Sequence, residues 1–200
     1  MSTICGKLRS MRLVILMLAA VLATPSAFSA QTSDGGIGAA LSPSMAASLN
    51  NMHMTIRRDL IESAEAMPAA DFSFKPTPQV RSFGEILGHV TFANFYFCAM
   101  AKGEPSPSTF NERTVTDKPG LVKALGDALN YCDGVYKETT DANANQPVKF
   151  SGPGGSGQST RALVLMFNTT HNNEHYGNVI VYLRLKGIVP PSTARVQGKK

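Results

Sequence analysis

Residues 159–186 read STRALVLMFNTTHNNEHYGNVIVYLRLK, and this stretch is the strongest indication of the architecture. Its apolar residues recur at steps of three and four, which is the spacing of one face of an α-helix. The same face carries two of the chain's four histidines, His171 and His175. Gly187 suits the left-handed conformation that ends many helices, and Pro190 follows shortly after it. The stretch therefore predicts one long helix with two imidazoles on its buried side.

Three further segments show the same helical spacing of apolar residues: 44–67, 82–102 and 117–136. Ser82 and Glu85 match a capping box, in which two side chains satisfy free amides of the first helical turn. The connection over 146–158 is rich in glycine and predicts a loop. Four helices with polar or Gly/Pro-rich connections predict an all-α, up-down four-helix bundle over residues 44–192.

Residues 1–30 have the organisation of a secretory signal peptide. Three basic residues precede an apolar run over 13–22, and small residues follow. This run of ten residues is well short of the roughly 20 that span a bilayer, so a retained N-terminal anchor is the weaker alternative. We expect cleavage near residues 29–31 and export to the periplasm or the exterior. Residues 31–43 predict a flexible mature N-terminus, and residues 193–200 a disordered C-terminal tail.

The charge of the chain argues against a nucleic-acid partner. The formal net charge is +5, but residues 1–30 hold three basic residues and no acidic ones, which leaves +2 for the mature part. This small excess forms no basic stripe of the kind that binds nucleic acid. Hydrophobic residues make up 43% of the chain, enough to build the core of one ordinary domain. The sequence therefore predicts one exported domain, with no nucleic-acid partner and no membrane partner once the signal is removed.

Three histidines are predicted to face the interior of the bundle. His171 and His175 are four residues apart, which puts both imidazoles on one helix face, close enough to share an ion. His89 lies on the second helix among apolar neighbours, and bundles build metal sites from side chains on facing helices. Three imidazoles leave coordination positions open, as catalytic metal sites require. A hydrogen-bonded core histidine is the alternative at each position.

Two helices carry a resemblance to a known family. The runs HNNEHYGN over 171–178 and VYLRLKGIVPP over 181–191 resemble the last helix of the DinB-like superfamily. The run GHVTFAN over 88–94 is similar to the matching second helix. The resemblance extends over about residues 45–192. It implies a four-helix bundle with one divalent metal ion (nickel, zinc, iron or manganese) bound by His89, His171 and His175.

Three other side chains are candidates for roles near this site, and two cysteines are candidates for a disulfide. Glu174 and Asn94 are candidates for partners that orient the imidazoles, although Glu174 also fits an ordinary solvated helix residue. His53 is predicted to lie on the flank of the first helix, with a role as a fourth ligand as the alternative. Cys98 and Cys132 both fall on core faces, as a disulfide or as two buried thiols.

The reaction is left open by the resemblance. Some DinB-like proteins are thiol transferases or related isomerases, in which a metal would hold a small thiol as its reactive thiolate. Such thiols are cytosolic reagents, whereas this chain is predicted to be exported. The pattern His171-x-x-Glu174-His175 also fits the inverted zinc peptidases, in which the glutamate activates water, but those enzymes have a larger α/β fold.

We therefore expect a metal-dependent transferase or hydrolase that acts on an unidentified small molecule. A zinc hydrolase with Glu174 as general base is one alternative, and a non-enzymatic periplasmic interaction module is another. Bundles of this kind commonly form homodimers, although no interface is evident in the sequence.

Overall fold

The computed structural model describes residues 44–114 and 116–198. The predicted signal peptide over 1–30 and the predicted flexible segment over 31–43 lie outside the described residues. The helices and strands are α1 (Met45–Ala66), α2 (Phe83–Lys102), α3 (Lys118–Glu138), β1 (Pro147–Gly152), β2 (Gly155–Thr160), α4 (Arg161–Leu185) and α5 (Pro191–Val196), with a short 3₁₀ turn over Ala69–Asp71. The prediction of an all-α four-helix bundle is confirmed.

Each of the four long helices begins at a residue whose side chain satisfies a free backbone amide. Ser44, Asp117 and Thr160 accept hydrogen bonds from amides of the first turn of α1, α3 and α4. At α2 the predicted capping box is present, because Ser82 accepts from the amide of Glu85 and Glu85 accepts from the amide of Ser82. Caps of this type contribute roughly 1 kcal/mol each and fix where a helix starts.

The helices run up, down, down and up, so α2 and α3 are parallel. Cys98 and Cys132, each in the second half of its helix, are joined by a disulfide. At the other end, Leu121 near the start of α3 lies within van der Waals reach of Gly84 near the start of α2. An up-down bundle with strict alternation would make α2 and α3 antiparallel. The structure differs because the connection over residues 103–117 is long enough to return along α2.

Around the bundle the order of the helices is α1, α3, α2, α4. Helix α2 packs mainly against α3 and α4, and α1 packs against the same two helices. Buried side chains from all four helices form the core, and the largest of them are Tyr136, Phe83, Ile56, Leu60, Met67, Leu87, Leu121, Leu125, Leu129, Leu165 and Leu183. The contact between α2 and α4 brings the second and fourth helices face to face, and these are the two helices that carry the predicted metal ligands.

The glycine-rich connection before α4 is a β-hairpin and not the predicted loop. Strands β1 and β2 pair antiparallel from Pro147 opposite Thr160 to Gly152 opposite Gly155. Val148 is buried, and the Phe150 ring packs against Phe97 at 6.4 Å between centroids. Only two inward apolar residues alternate in this hairpin, which is too short a pattern to indicate a strand. Packing against α2 stabilises a strand pair that the local sequence does not indicate.

The first half of the predicted disordered C-terminal tail, residues 193–196, is helical. Residues up to Val196 belong to α5, where Arg195 forms ion pairs with Asp59 and Glu62 of α1. Tyr176 of α4 donates a hydrogen bond to Ser192 at 2.7 Å. These long-range partners hold a short helix that would not be stable alone. Among residues 44–114 and 116–198, no helix is both long and apolar enough to cross a membrane.

Candidate metal centre

Three imidazole nitrogens converge between α2 and α4. The Nε2 atom of His171 lies 3.2 Å from Nε2 of His89 and 3.1 Å from Nε2 of His175. One nitrogen from each ring falls within 4.8 Å of the other two. The spacing of four residues on α4 and the packing of α2 against it bring the rings together, as the sequence predicted. These three histidines are the group that could hold a metal ion.

The spacing of the nitrogens fits coordination of a common cation. A metal–nitrogen bond of about 2.0–2.1 Å places two ligand nitrogens about 3.3–3.4 Å apart in a tetrahedral site and about 2.9 Å apart in an octahedral one. The separations of 3.1 and 3.2 Å lie between these limits.

Hydrogen bonds among the rings alone do not explain this arrangement. Nε2 of a neutral imidazole is either one donor or one acceptor. His171 Nε2 faces two other Nε2 atoms, so at least one of the two close contacts stays without a hydrogen bond. A cation at the convergence point would satisfy all three nitrogens at once.

The environment keeps two of the rings neutral. Burial, followed by the neighbouring His175 and His89, lowers the pKa of His171 to about 4. Burial also lowers the pKa of His175. Metal ions bind the neutral form of imidazole, so a site that disfavours protonation loses less affinity to competing protons.

Glu112 is a partner of this site that the sequence analysis missed. Its carboxylate lies 3.0 Å from Nδ1 of His89, the nitrogen on the side of the ring opposite to the convergence point. A carboxylate there accepts a hydrogen bond from Nδ1–H and leaves the Nε2 lone pair for a metal, an arrangement common in metalloproteins. Gly88 allows this approach, because a Cβ atom at position 88 would lie 3.2 Å from the Glu112 carbonyl oxygen.

Glu112 could not be found from helical spacing because it lies in the connection between α2 and α3. With strictly alternating helices, that connection would be expected to turn at one end of the bundle, away from His89. The parallel α2 and α3 require it to return along α2, and on this path Glu112 passes His89. The only sequence signal was the glycine that precedes the histidine.

His53 is neither on a helix flank nor part of the three-histidine group. Its side chain is fully buried, and Nε2 lies 2.7 Å from a carboxylate oxygen of Asp133. The ring stacks on Tyr136 with centroids 4.0 Å apart, and Arg57 donates to the second oxygen of Asp133. The prediction that His53 lies on the flank of α1 failed because its partner Asp133 belongs to α3. The spacing of residues within α1 gives no sign of that partner.

Asn94 bonds to other asparagines and not to an imidazole. Asn94 and Asn172 donate to each other's side-chain oxygens at 3.0 Å, and Asn168 donates to Asn94 at 3.1 Å. This group, here called the asparagine layer, is buried between α2 and α4. We expected Asn94 to orient an imidazole ring, but its hydrogen bonds in the structure go to other groups. It acts on the site only through the placement of the helices.

The remaining candidates are the cysteines and Glu174. Cys98 and Cys132 form a disulfide with Cα atoms 5.4 Å apart. Of the two predicted alternatives, a disulfide or two buried thiols, the structure has the disulfide. The Glu174 side chain is exposed on α4, and among the described residues its carboxylate makes no hydrogen bond to a histidine. Its catalytic role stays a prediction.

A pocket of about 410 Å³ opens beside His175. Its walls come from the segment before α2, from the first turns of α2 and from the second half of α4, and they include Pro76, Val80, Arg81, Ile86, Val181 and Tyr182. Because His175 lines it, a small molecule in this pocket would contact one of the three histidines. The arrangement combines three convergent imidazole nitrogens, a carboxylate behind one ring and an adjoining cavity, which is what a candidate active site would need.

The fold and the site together define a four-helix bundle protein with a candidate three-histidine metal centre. The sequence model of the DinB superfamily matches residues 54–179, and the chain belongs to that superfamily. None of the curated proteins matches it significantly in sequence.

Two solved structures have a similar fold. A DinB-like protein from Bacillus cereus ATCC 10987 is 15% identical with a TM-score of 0.63, over 74% of this chain and 96% of that one. The DinB-like protein YjoA from Bacillus subtilis is 22% identical with a TM-score of 0.56, over 70% and 92% of the two chains. At these identities the likeness concerns the fold alone.

Proposed function

We propose that this protein is exported, binds one divalent metal ion through His89, His171 and His175, and acts as a metal-dependent transferase or hydrolase on a small molecule. The observation that carries the proposal is the convergence of three Nε2 atoms, with neighbouring separations of 3.1 and 3.2 Å. Three protein ligands leave positions open for a substrate, whereas closed structural sites fill all four. Nickel, zinc, iron and manganese are the candidate ions, and imidazole suits the first three best.

The bound ion would supply Lewis acidity, which lowers the pKa of a thiol or water that occupies an open position. The protein's own residues have distinct tasks beside it. Glu112 fixes the tautomer of His89 through Nδ1. Burial lowers the pKa of His171 and of His175 and so disfavours the protonated form of both rings, which cannot bind a metal. The pocket beside His175 receives the substrate.

Export is supported by the disulfide as well as by the N-terminal segment. Disulfides persist in oxidising compartments and are rare in the cytosol. Cys98 and Cys132 are both fully buried and close a loop across two helices, which is the placement of a structural disulfide. An exported enzyme would need a thiol or other substrate that is present outside the cytosol.

The test is metal content in the protein as the cell makes it. The full chain is expressed in a Gram-negative host, purified from the periplasmic fraction, and analysed for bound elements beside a His89→Ala, His171→Ala double variant. We expect about one equivalent of metal in the wild type and less than a tenth of that in the variant. His53→Gln is the matched control, because it removes a buried histidine outside the group and should keep the metal if circular dichroism shows it folded.

Two outcomes would contradict the proposal. A wild type without metal after incubation with nickel, zinc, manganese and iron salts would refute the metal centre. Protein that stays in the cytoplasm with residues 1–30 intact would refute export. If the metal is present but no small molecule binds beside it, the non-enzymatic interaction module becomes the better description.

A further inference from the structure

We propose that the pocket beside His175 selects a small monocarboxylic acid, with the Arg81 guanidinium binding the carboxylate and the apolar walls holding the rest of the molecule. The inference deepens the proposed function and rests on it, because it names the substrate class of the same site. Four features of the pocket carry it: its size, its walls, the state of Arg81 and the fixed position of Arg81.

The size and the walls indicate a small, largely apolar ligand. A volume of about 410 Å³ is near the lower end of the range of roughly 300–1,000 Å³ that small-molecule sites span. Val80, Ile86 and Val181 supply apolar surface, and Tyr182 adds the face of a ring. A peptide or polysaccharide chain would find few hydrogen-bonding groups here. A molecule with a short apolar body would contact these walls on one side, since the pocket is open to solvent on the other.

Arg81 is a cation without a carboxylate of its own. Within residues 44–114 and 116–198, no Asp or Glu forms a salt bridge with it. The cations nearby differ, since Lys75 pairs with Glu85 and Lys186 pairs with Asp71, both at 2.8 Å. A guanidinium matches a carboxylate with two parallel hydrogen bonds, which gives it both charge and geometric selectivity.

Arg81 and His175 line the same pocket. An anion bound by Arg81 there would therefore lie beside one of the three histidines. Glu112, the carboxylate nearest to the centre, contacts His89 on the opposite side of its ring and does not line this pocket.

The backbone of Arg81 is held from two helices. Its carbonyl accepts a 2.6 Å hydrogen bond from the Tyr182 hydroxyl of α4. The next residue, Ser82, caps α2, and its amide donates to Glu85 at 2.6 Å. The position is therefore built into the junction of α2 and α4 and is not that of a cation on a free loop. Such anchoring fixes the backbone from which the exposed Arg81 side chain extends.

The experiment measures binding of paired acids and amides to the metal-loaded full chain by isothermal titration calorimetry. The probes are butanoate, hexanoate, octanoate and 3-phenylpropanoate, each beside its primary amide, which has the same shape without the charge. We expect at least one acid to bind tenfold or more tightly than its amide. Arg81→Gln should remove that preference by weakening the acid about tenfold and leaving the amide within twofold.

Arg113→Gln is the matched control, because it makes the same substitution at an exposed guanidinium that does not line the pocket. It should change acid binding by less than twofold. The proposal is overturned if none of the acids binds, if Arg81→Gln binds the acid as tightly as the wild type, or if Arg113→Gln weakens it equally. Unchanged acid binding by Arg81→Gln would mean that the carboxylate binds the metal or another group and not Arg81.

Metal content is determined on the same samples, which separates this inference from the proposed function. Protein without metal refutes the metal centre, and the acid pocket is then judged by the same acid and amide comparison on the metal-free chain. Protein with one equivalent of metal and no preference for acids refutes the acid pocket alone.

Discussion

Removal of the Cys98–Cys132 disulfide should destabilise the bundle by an amount that its loop length predicts. The two cysteines are 34 residues apart in sequence. Closing a loop of that length in the unfolded chain costs about 12.6 cal/mol/K of entropy, or about 3.8 kcal/mol at 25 °C. The free energy of unfolding of a Cys98→Ala, Cys132→Ala variant should fall by about this amount. For a domain of this size the melting temperature should fall by roughly 8–15 °C.

The assay is urea unfolding followed by circular dichroism, on wild type and variant at the same pH and metal content. The loss should appear mainly as a lower midpoint, with any change in slope reporting on the unfolded chain. Folded wild type kept in reductant without urea should retain its disulfide, because both cysteines are fully buried. Reductant present throughout the urea series should lower the midpoint toward that of the variant, because unfolding exposes the disulfide. A loss below about 1 kcal/mol, or two free thiols in the purified wild type by alkylation and mass spectrometry, would refute the reasoning.

Two further predictions concern the metal centre. Glu112→Gln should weaken metal binding by about 10–100-fold in competition with a chelator, because an amide orients the Nδ1 proton of His89 less well. The control Glu174→Gln should change metal affinity less than twofold. Equal effects of the two substitutions would contradict the role of Glu112. In metal-free protein burial and the neighbouring His175 and His89 lower the pKa of His171 from 6.5 to about 4, so the unfolded chain binds more protons than the folded one between these pH values. Stability should therefore fall as the pH drops from about 6.5 to 4. The loss from this residue should be smaller than the roughly 3.4 kcal/mol that the full lowering of its pKa corresponds to, because solvent screens the partly exposed ring. A His171→Gln variant should lose less over the same range in urea midpoints, and an imidazole that titrates near 6.5 by NMR would contradict the expectation.

The helices and the His171–His175 pair were predictable because their signals are local. The spacing of apolar residues located all four long helices, and the four-residue step between His171 and His175 placed both rings on one face. The assignment of His89 to the same site needed the resemblance as well, since a single histidine on an apolar face has several explanations. The capping box at Ser82 was local too, and it fixed the start of α2 to within one residue.

The features that were missed depend on contacts between distant parts of the chain. His53 is paired with Asp133, and the hairpin packs against α2. Helix α5 is held by the ion pairs of Arg195. The position of Glu112 follows from the parallel course of α2 and α3, which no periodicity encodes. In each case the tertiary partner supplies a free energy that the local sequence lacks. The three candidate histidines could therefore be named from the sequence, but Glu112, the carboxylate behind His89, could not.

The asparagine layer has a consequence for the register of α2 and α4. Apolar side chains tolerate sliding, because a slip of one helical turn, about 5.4 Å, replaces one hydrocarbon contact by another. The same slip would separate the paired amides of Asn94 and Asn172 and leave buried polar groups unsatisfied, at roughly 1–3 kcal/mol each. It would also carry His89 away from His171. Residues that touch no ligand thus set the axial alignment on which the spacing of the three nitrogens depends.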